Sequence, residues 1–306
     1  MKFAWWRRGS SPRPVKLETV STIPSSNNEV AALKKQVAEL MARNAALQRV
    51  KVEQVKPKPQ FTFGDKFVVA MPFCARDAMA AVDLLRWMRQ LNGRPHKIRL
   101  LLCAQHGCPD ALTAEVRKAA GLAFSEVEYI TTSFDLPDEK WPTGTCWMFL
   151  HIAKYCLDRR WDFWINEPDC IPVKTGWLDA LVAEYMDCGF PYMGFIEPAP
   201  THGGYPRHLA GNACYNWQVY QHFRADKLGV GWDVAMADVL TDQAWHTKLF
   251  HQEFGPLDHP PTFKTMDDLA RIPSEAMIYH RCKDGSLTRW LRERESTKND
   301  ELLPAS

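Results

Sequence analysis

The sequence, of 306 residues, has no uncharged apolar run approaching the roughly 18 residues that a membrane-spanning helix needs. It also lacks any Cys-x-x-Cys pair. Its nine cysteines are scattered and odd in number, which argues against a disulfide scaffold or a structural zinc site and for a reducing compartment. The first eight residues contain no apolar stretch long enough for a secretory signal. We therefore expect a cytoplasmic protein that is not embedded in a membrane.

What the sequence does have is tryptophan and an uneven distribution of charge. Twelve residues are Trp, and the net charge of +2 is the sum of two opposite parts. Residues 1–60 hold 12 Lys and Arg against 4 Asp and Glu, a net charge of +8, whereas residues 61–306 have a net charge of −6. A basic segment favours anionic partners such as nucleic acid or a membrane surface, although a solvated tail has the same composition.

The basic N-terminal part divides into three segments. Residues 1–28 are rich in Pro, Ser, Asn and Arg without any period, which predicts a disordered basic arm. Residues 29–55 predict a coiled-coil helix, because one stripe carries residues at spacings of three and four: Val30, Leu33, Val37, Leu40, Asn44 and Leu47. Val and Leu in this pattern favour a parallel homodimer, with a trimer or a lone helix packed on the rest of the chain as alternatives. Prolines in residues 56–62 predict a stiff linker.

The following domain, predicted over residues 63–294, alternates between short apolar runs and segments of helical period. Strands are predicted at 67–71, 98–103, 127–131, 163–165, 192–196 and 276–280, and helices at 77–92, 110–120, 145–158 and 176–187. Gly93 and Gly121 suit the position that follows a helix. Strands separated by helices of this length predict an α/β fold with a mainly parallel sheet covered by helices on both faces. Residues 295–306 are predicted to be a disordered tail.

Ligands of open α/β sheets bind at the carboxyl ends of the strands, and two predicted strand ends carry polar residues. Glu167 and Asp169 directly follow an apolar strand, and two carboxylates so close together can share a cation such as Mg²⁺ or Mn²⁺. His280 ends the last strand and could complete the metal shell as a neutral imidazole. Lys283 could neutralise a diphosphate, and Gly285 could admit it to the backbone. A surface turn and a loop before a helix are the structural alternatives.

Two further segments and the tryptophans point less directly to a ligand. Residues 141–144 predict a tight turn before an apolar helix, and the pair Gly211-Asn212 indicates close backbone packing at the wall of a site. Tryptophan rings near these segments could stack on sugars or pack in the core. Six of them lie within or beside the candidate segments: Trp141, Trp147, Trp161, Trp164, Trp177 and Trp232.

Taken in this order, the motifs resemble nucleotide-sugar-dependent glycosyltransferases of the GT-A fold over about residues 65–292. The triplet that begins at Glu167 sits where that superfamily carries its Asp-x-Asp metal motif. The chain is especially similar to uncharacterised phage-encoded glycosyltransferase-like proteins. These share the Trp-Pro-x-Gly turn that begins here at Trp141 and the His-x-x-Lys-Asp-Gly-Ser-Leu end that begins at His280.

The resemblance implies a metal-dependent hexosyl- or pentosyltransferase that moves a sugar from a nucleotide-diphosphate donor to a hydroxyl acceptor. Glu167, Asp169 and His280 would hold Mn²⁺ or Mg²⁺, which stabilises charge on the leaving diphosphate. The residues that the resemblance assigns to donor binding are Arg76, Asp135, Trp141, Gly144, Glu167, Lys283 and Gly285. A phage-encoded enzyme would work in the cytoplasm of its host.

On the acceptor side, an inverting reaction needs a general base within hydrogen-bond reach of the acceptor hydroxyl. Asp233 is the first candidate and Glu197 the second. A retaining reaction needs no such base, so the stereochemistry stays open. The basic arm and the phage-like context favour a hydroxymethylated base in DNA as the acceptor, with a glycan or a protein as the alternative.

A function from a different class is a catalytically silent module that binds a saccharide or a nucleotide and is dimerised by the coiled coil. The joint presence of Glu167, Asp169, His280 and Lys283 favours the enzyme, since a pure binder need not keep them. We do not expect the arm to contact a membrane, because the few residues around Trp5 offer little apolar area.

Overall fold

A computed structural model describes residues 61–132, 143–199, 204–223, 230–253 and 261–301, with the side chains of the last helix described to residue 295. These residues belong to one compact unit that spans residues 56–306. The predicted basic arm, the coiled-coil helix and most of the linker lie outside the described residues, as do Asp135 and Trp141.

Helices and short strands alternate along the described chain. The helices are α1 (Ala78–Asn92), α2 (Asp110–Ala123), α3 (Thr143–Arg159), α4 (Trp177–Cys188), α5 (Trp232–Ala235), α6 (Ala237–Leu240) and α7 (Ser286–Glu301). The strands are β1 (Lys66–Phe73), β2 (Arg99–Ala104), β3 (Val127–Thr131), β4 (Trp161–Ile165), β5 (Cys170–Pro172), β6 (Tyr192–Gly194), β7 (Ile196–Glu197), β8 (His208–Leu209), β9 (Cys214–Tyr215), β10 (Ala244–His246), β11 (Phe250–Gln252) and β12 (Ile278–His280). Short 3-10 helices cover Trp217–His222, Thr241–Gln243 and Met266–Arg271. None of the described helices combines the length and the apolar character needed to cross a membrane.

The main sheet contains, within the described ranges, seven strands in the order β10-β6-β9-β4-β1-β2-β3. Strand β9 runs antiparallel to its neighbours β4 and β6, and the other neighbours are parallel. In the pairing of β1 with β4, Ala70 lies opposite Ile165. The carboxyl ends of these two strands therefore adjoin, which brings together the loop after β1 and the Glu-Pro-Asp triplet after β4.

Helices cover both faces of this sheet, as predicted from the alternation of strands and helices. Successive residues of a strand point to opposite faces, so Val69 of β1 packs in a core with α1, α2, α4 and α7, whereas Val68 packs in a second core with α3, α5 and α6. The predicted fold class, an α/β domain with a mainly parallel sheet covered on both faces, is confirmed.

Two smaller sheets stand beside the main one in the described chain. Strand β12 pairs in parallel with β11 and antiparallel with β5, so that His280 lies opposite both Gln252 and Cys170. Strands β7 and β8 form an antiparallel ribbon in which Glu197 lies opposite His208. The last predicted strand is thus present, but it belongs to a separate sheet that gathers residues far apart in sequence.

The ends of two helices differ from the prediction. Helix α2 continues through Gly121, which keeps a helical conformation, and the chain leaves the helix in an extended conformation at the buried Phe124. Gly93, in contrast, follows α1 with a left-handed φ of 68° and its N–H donates to the carbonyl of Gln90, as a terminating glycine should. Helix α7 extends to Glu301, so the predicted domain boundary at residue 294 falls inside it.

The strand predicted over residues 192–196 is divided. Strand β6 ends at Gly194, where an added Cβ would lie 2.7 Å from the Cβ of Ala213. The chain then passes from the main sheet into the ribbon formed by β7 and β8. This change of sheet carries Glu197 away from the main-sheet edge and places it opposite His208.

Candidate active site

The Glu-Pro-Asp triplet forms a tight turn at the carboxyl end of the fully buried strand β4. The backbone N–H of Asn166 donates to the carbonyl of Ala70 at 2.8 Å, and that of Cys170 donates to the carbonyl of Glu167 at 2.9 Å. With its nitrogen turned inward, the Asn166 amide also donates to the carbonyls of Glu167 and Cys170, at 3.2 and 3.3 Å. These bonds fix the turn that carries Glu167 and Asp169.

Pairing of β12 with β5 brings His280 to this turn. Its Nε2 lies 3.2 Å from Glu167 Oε2 and 3.5 Å from Asp169 Oδ1. One side-chain ligand atom from each of Glu167, Asp169, Cys170 and His280 lies within 4.8 Å of the others. The structure therefore brings together the three residues that the sequence analysis proposed as metal ligands.

One oxygen of this cluster lacks a hydrogen-bond donor. Asp169 Oδ2 is buried, and no donor among the described residues makes a hydrogen bond to it. Lys283 Nζ lies 3.9 Å away, on a side chain that is 69% exposed. A buried carboxylate oxygen without a partner costs free energy, and a bound cation would remove that cost. Carboxylate oxygens with one imidazole nitrogen suit Mn²⁺ or Mg²⁺, so the residues fit such a cation.

Charge within the cluster reverses the effect of burial. Burial alone would raise the pKa of Asp169, but the neighbouring His280 holds that pKa at about 2. Burial would likewise lower the pKa of His280, but Asp169 and Glu167 raise it to about 9. The metal-free cluster is therefore an imidazolium held between two carboxylates.

Cys170 belongs to the cluster and was not foreseen as a candidate ligand. Burial, together with the charges of Asp169 and Glu167, raises the pKa of its thiol well above the ordinary value. A protonated thiol is a poor ligand, and a hard cation prefers oxygen. Its place directly after Asp169 was the signal in the sequence that could have drawn attention to it.

A hydrogen-bonded chain leads away from His280. Its Nδ1 lies 2.9 Å from Gln252 Oε1, and Gln252 Nε2 donates to Glu197 Oε1 at 2.7 Å. Gln252 ends β11 directly opposite His280 and its residue is only 7% exposed. Sequence reasoning missed Gln252, because its place beside His280 depends on the pairing of β11 with β12 and no motif surrounds it.

The two candidate bases lie on either side of one histidine. His208 Nε2 is 3.7 Å from Glu197 Oε2 and 3.9 Å from Asp233 Oδ2. His208 Nδ1 lies 2.8 Å from the carbonyl oxygen of Pro206. Burial raises the pKa of Asp233, His208 opposes this, and the charges of Glu167 and Glu197 add to it. Because the charge of Glu167 contributes to the raised pKa of Asp233, the base candidates and the proposed metal ligands belong to one region.

The remaining predicted donor residues that the structure describes lie at or near the ends of elements. Arg76 is exposed in the loop between β1 and α1, where Asp77 Oδ1 accepts the backbone N–H of Cys74 at 2.6 Å. Burial raises the pKa of Asp77 and the charge of Glu167 adds to this, so the loop lies near the cluster. Gly144 lies in the first turn of α3, and Gly285, with a φ of 68°, precedes α7.

Most tryptophans near the site serve the core. Trp164 and Trp177 are fully buried, and Trp232 stacks on Phe149 with ring centroids 4.9 Å apart. The close packing expected at Gly211 is present, since an added Cβ would lie 2.7 Å from the ring of Trp232. These rings therefore pack in the core and are not exposed for stacking on a sugar.

No protein-family profile matches the sequence, and no curated protein matches it. Solved structures that match this chain include the galactosyltransferase LgtC with donor and acceptor sugar analogues, at 12% identity over 78% of this chain and 97% of that chain, with a TM-score of 0.47. The bifunctional glycosyltransferase WbbM is 8% identical over 73% of this chain and 46% of that chain, with a TM-score of 0.48. The mannosyltransferase PcManGT from Pyrobaculum calidifontis, solved with GDP-Man and Mn²⁺, is 14% identical over 68% and 61%, with a TM-score of 0.41. All three are glycosyltransferases.

Proposed function

We propose that this protein is a metal-dependent glycosyltransferase that moves a sugar from a nucleotide-diphosphate donor to a hydroxyl acceptor. The observation that carries the proposal is the cluster of Glu167, Asp169 and His280 at the carboxyl end of β4, with a buried oxygen of Asp169 that no donor among the described residues satisfies. The sequence resemblance to GT-A glycosyltransferases supports the same assignment for these residues.

The cluster would hold Mn²⁺ or Mg²⁺, which when bound supplies a positive charge for the diphosphate leaving group. Lys283 stands 3.9 Å from Asp169 with most of its side chain in solvent, so its ammonium can reach an incoming diphosphate. Gly285 lies two residues after Lys283 and has a left-handed φ. Because it has no side chain, the backbone is accessible at that point. In this proposal Lys283 and Gly285 bind the donor beside the cation.

The geometry favours Asp233 over Glu197 as the general base of an inverting reaction. Glu197 Oε1 accepts from Gln252, its Oε2 faces His208, and its side chain is 12% exposed. Asp233 is 25% exposed, and its raised pKa suits a group that must accept a proton. We assign Asp233 as the group that accepts the proton of the acceptor hydroxyl. We assign Glu197 to the hydrogen-bonded chain that runs through Gln252 to His280.

The identity of the substrates stays a prediction. The donor is a nucleotide-diphosphate sugar, and the acceptor is a hydroxymethylated base in DNA or, as the alternative, a glycan or a protein. A thermal-shift screen of the full chain against UDP-, GDP- and dTDP-sugars with Mn²⁺ tests the donor, because a ligand that binds the native state raises the unfolding midpoint.

The decisive experiment compares Asp169→Asn with the unaltered chain. We expect the variant to fold, to bind Mn²⁺ more than about 100-fold more weakly, and to lose both hydrolysis of the donor and transfer, because the buried oxygen ligand is gone. Glu115→Gln, an exposed substitution on α2, is the matched control and should change neither property.

Two results would contradict the proposal. Turnover that survives both Asp169→Asn and an added chelator would remove the metal mechanism. Tight binding of a nucleotide sugar by the unaltered chain, without hydrolysis or transfer to any acceptor offered, would favour the silent binding module.

A further inference from the structure

The hydrogen-bonded chain from His280 through Gln252 to Glu197 has a fixed polarity. A carboxylate only accepts hydrogen bonds, so the atom of Gln252 that faces Glu197 Oε1 at 2.7 Å must be the amide nitrogen. The amide oxygen of Gln252 must then face His280 Nδ1, at 2.9 Å. An amide oxygen also only accepts, so Nδ1 of His280 carries a hydrogen.

This polarity decides which nitrogen of His280 is available to a cation. With the hydrogen on Nδ1, the other nitrogen of the neutral ring, Nε2, carries the free lone pair. That is the nitrogen that lies 3.2 Å from Glu167 Oε2 and 3.5 Å from Asp169 Oδ1. A ligating histidine whose second nitrogen is held by a hydrogen bond is fixed both in tautomer and in ring orientation.

The backbone makes the arrangement rigid. Gln252 and His280 lie directly opposite each other in the pairing of β11 with β12, and Gln252 is nearly inaccessible to solvent. Glu197 lies on a different ribbon, opposite His208, which also approaches Asp233. Gln252 thus connects the cation ligands to the side of the site that carries both candidate bases.

We propose that Gln252 is a positioning residue that holds His280 Nε2 towards the cation and ties that orientation to Glu197. The inference rests on the proposed cation site. It goes further by assigning a role to a residue that no motif marks and by coupling the metal ligands to the acceptor side through one amide.

The test exploits the polarity of the chain. Gln252→Leu keeps the volume and removes both hydrogen bonds, and Gln252→Glu places two carboxylates against each other. Exchange of the two groups, Gln252→Glu with Glu197→Gln, restores an acceptor facing His280 Nδ1 and a donor facing that acceptor. Gln243→Leu, which removes an exposed bond to the carbonyl of Val239, is the control.

The primary measurement is the Kd for Mn²⁺, by electron paramagnetic resonance of free Mn²⁺ on the full chain, with circular dichroism to verify folding. We expect each single change at Gln252 to weaken binding by about 10- to 100-fold. The exchanged pair should recover at least half of that loss on a logarithmic scale, and the control should bind like the unaltered chain. If Gln252→Leu does not fold, the comparison of Gln252→Glu with the exchanged pair still decides the matter.

Two results would overturn the inference alone, and both are distinguishable from failure of the proposed function. Unchanged Mn²⁺ binding by Gln252→Leu would show that the amide does not position His280. An exchanged pair as weak as Gln252→Glu would show that the polarity of the chain is irrelevant. Absence of Mn²⁺ binding by the unaltered chain would instead refute the cation site itself, and this inference with it.

Discussion

At the scale of single residues, His280 must lose a proton when a cation enters the proposed site. Its pKa is raised to about 9, because the carboxylates of Asp169 and Glu167 outweigh the opposite effect of burial. A ligand nitrogen must be unprotonated, so binding releases a proton from the metal-free site. We expect the apparent Mn²⁺ affinity to rise with pH, by up to about tenfold per unit, and to level off above about pH 9.

This pH dependence can be measured by Mn²⁺ titrations between about pH 6.5 and about pH 9, the ordinary and the raised pKa of the histidine. His280→Asn is the informative variant, because an amide does not titrate there. It should bind more weakly at every pH and show a much flatter profile. An equally steep profile in the variant would mean that a different group releases the proton.

At the scale of elements, strand β4 is anchored at its start by the buried carboxylate of Asp162. Its Oδ1 accepts the backbone N–H of Trp217 at 2.9 Å and Asn216 Nδ2 at 3.0 Å, and its Oδ2 accepts the backbone N–H of Gly64 at 2.9 Å. Asp162→Ala would leave these donors without their acceptor. We expect the free energy of unfolding at pH 7 to fall by about 2–4 kcal/mol, measured by urea denaturation.

Asp158→Ala is the matched control for that prediction. Asp158 pairs with Lys154 on the exposed face of α3, and such surface pairs contribute little. Its removal should change the free energy of unfolding by less than about 0.5 kcal/mol. Similar losses in the two variants would mean that Asp162 does not anchor the strand.

Elements marked by continuous apolar runs could be predicted from the sequence, because their burial depends on local pattern. Strand β1 covers its predicted range of 67–71, and Glu167, Asp169 and His280 were singled out because polar residues follow apolar strands. The positions of Gln252 and His208 beside the candidate residues could not be predicted. They follow from pairing between distant strands, and a single sequence does not specify which short strands pair.

At the scale of the whole molecule, the opposite net charges of residues 1–60 and residues 61–306 predict different functions for the two parts. Removal of residues 1–60 would change the net charge from +2 to −6 and remove the predicted coiled coil. We expect the full chain to be a dimer by light scattering and residues 61–306 to be a monomer with the same activity on a small acceptor. At low salt, the full chain should also bind duplex DNA more tightly than residues 61–306.

If light scattering finds the same number of chains per particle for the full chain and for residues 61–306, the predicted dimerisation is wrong. Equal affinity for DNA in both forms would remove the arm as an anion-binding segment. A scrambled arm of the same composition serves as the control for charge alone, since non-specific binding to DNA depends on the number of basic residues.

The candidate ligands do not all belong to one sheet: Glu167 follows β4 of the main sheet, whereas His280 ends β12 of the small one. A cation held by both residues would join the main sheet to the sheet formed by β11, β12 and β5. Cation binding and the ordering of that small sheet would then be coupled. At a hundred times its Kd, a ligand specific for the native state adds about 2.7 kcal/mol. Withdrawal of the cation would then let β11 and β12 open locally while the main sheet stays folded, and their amide hydrogens would exchange first.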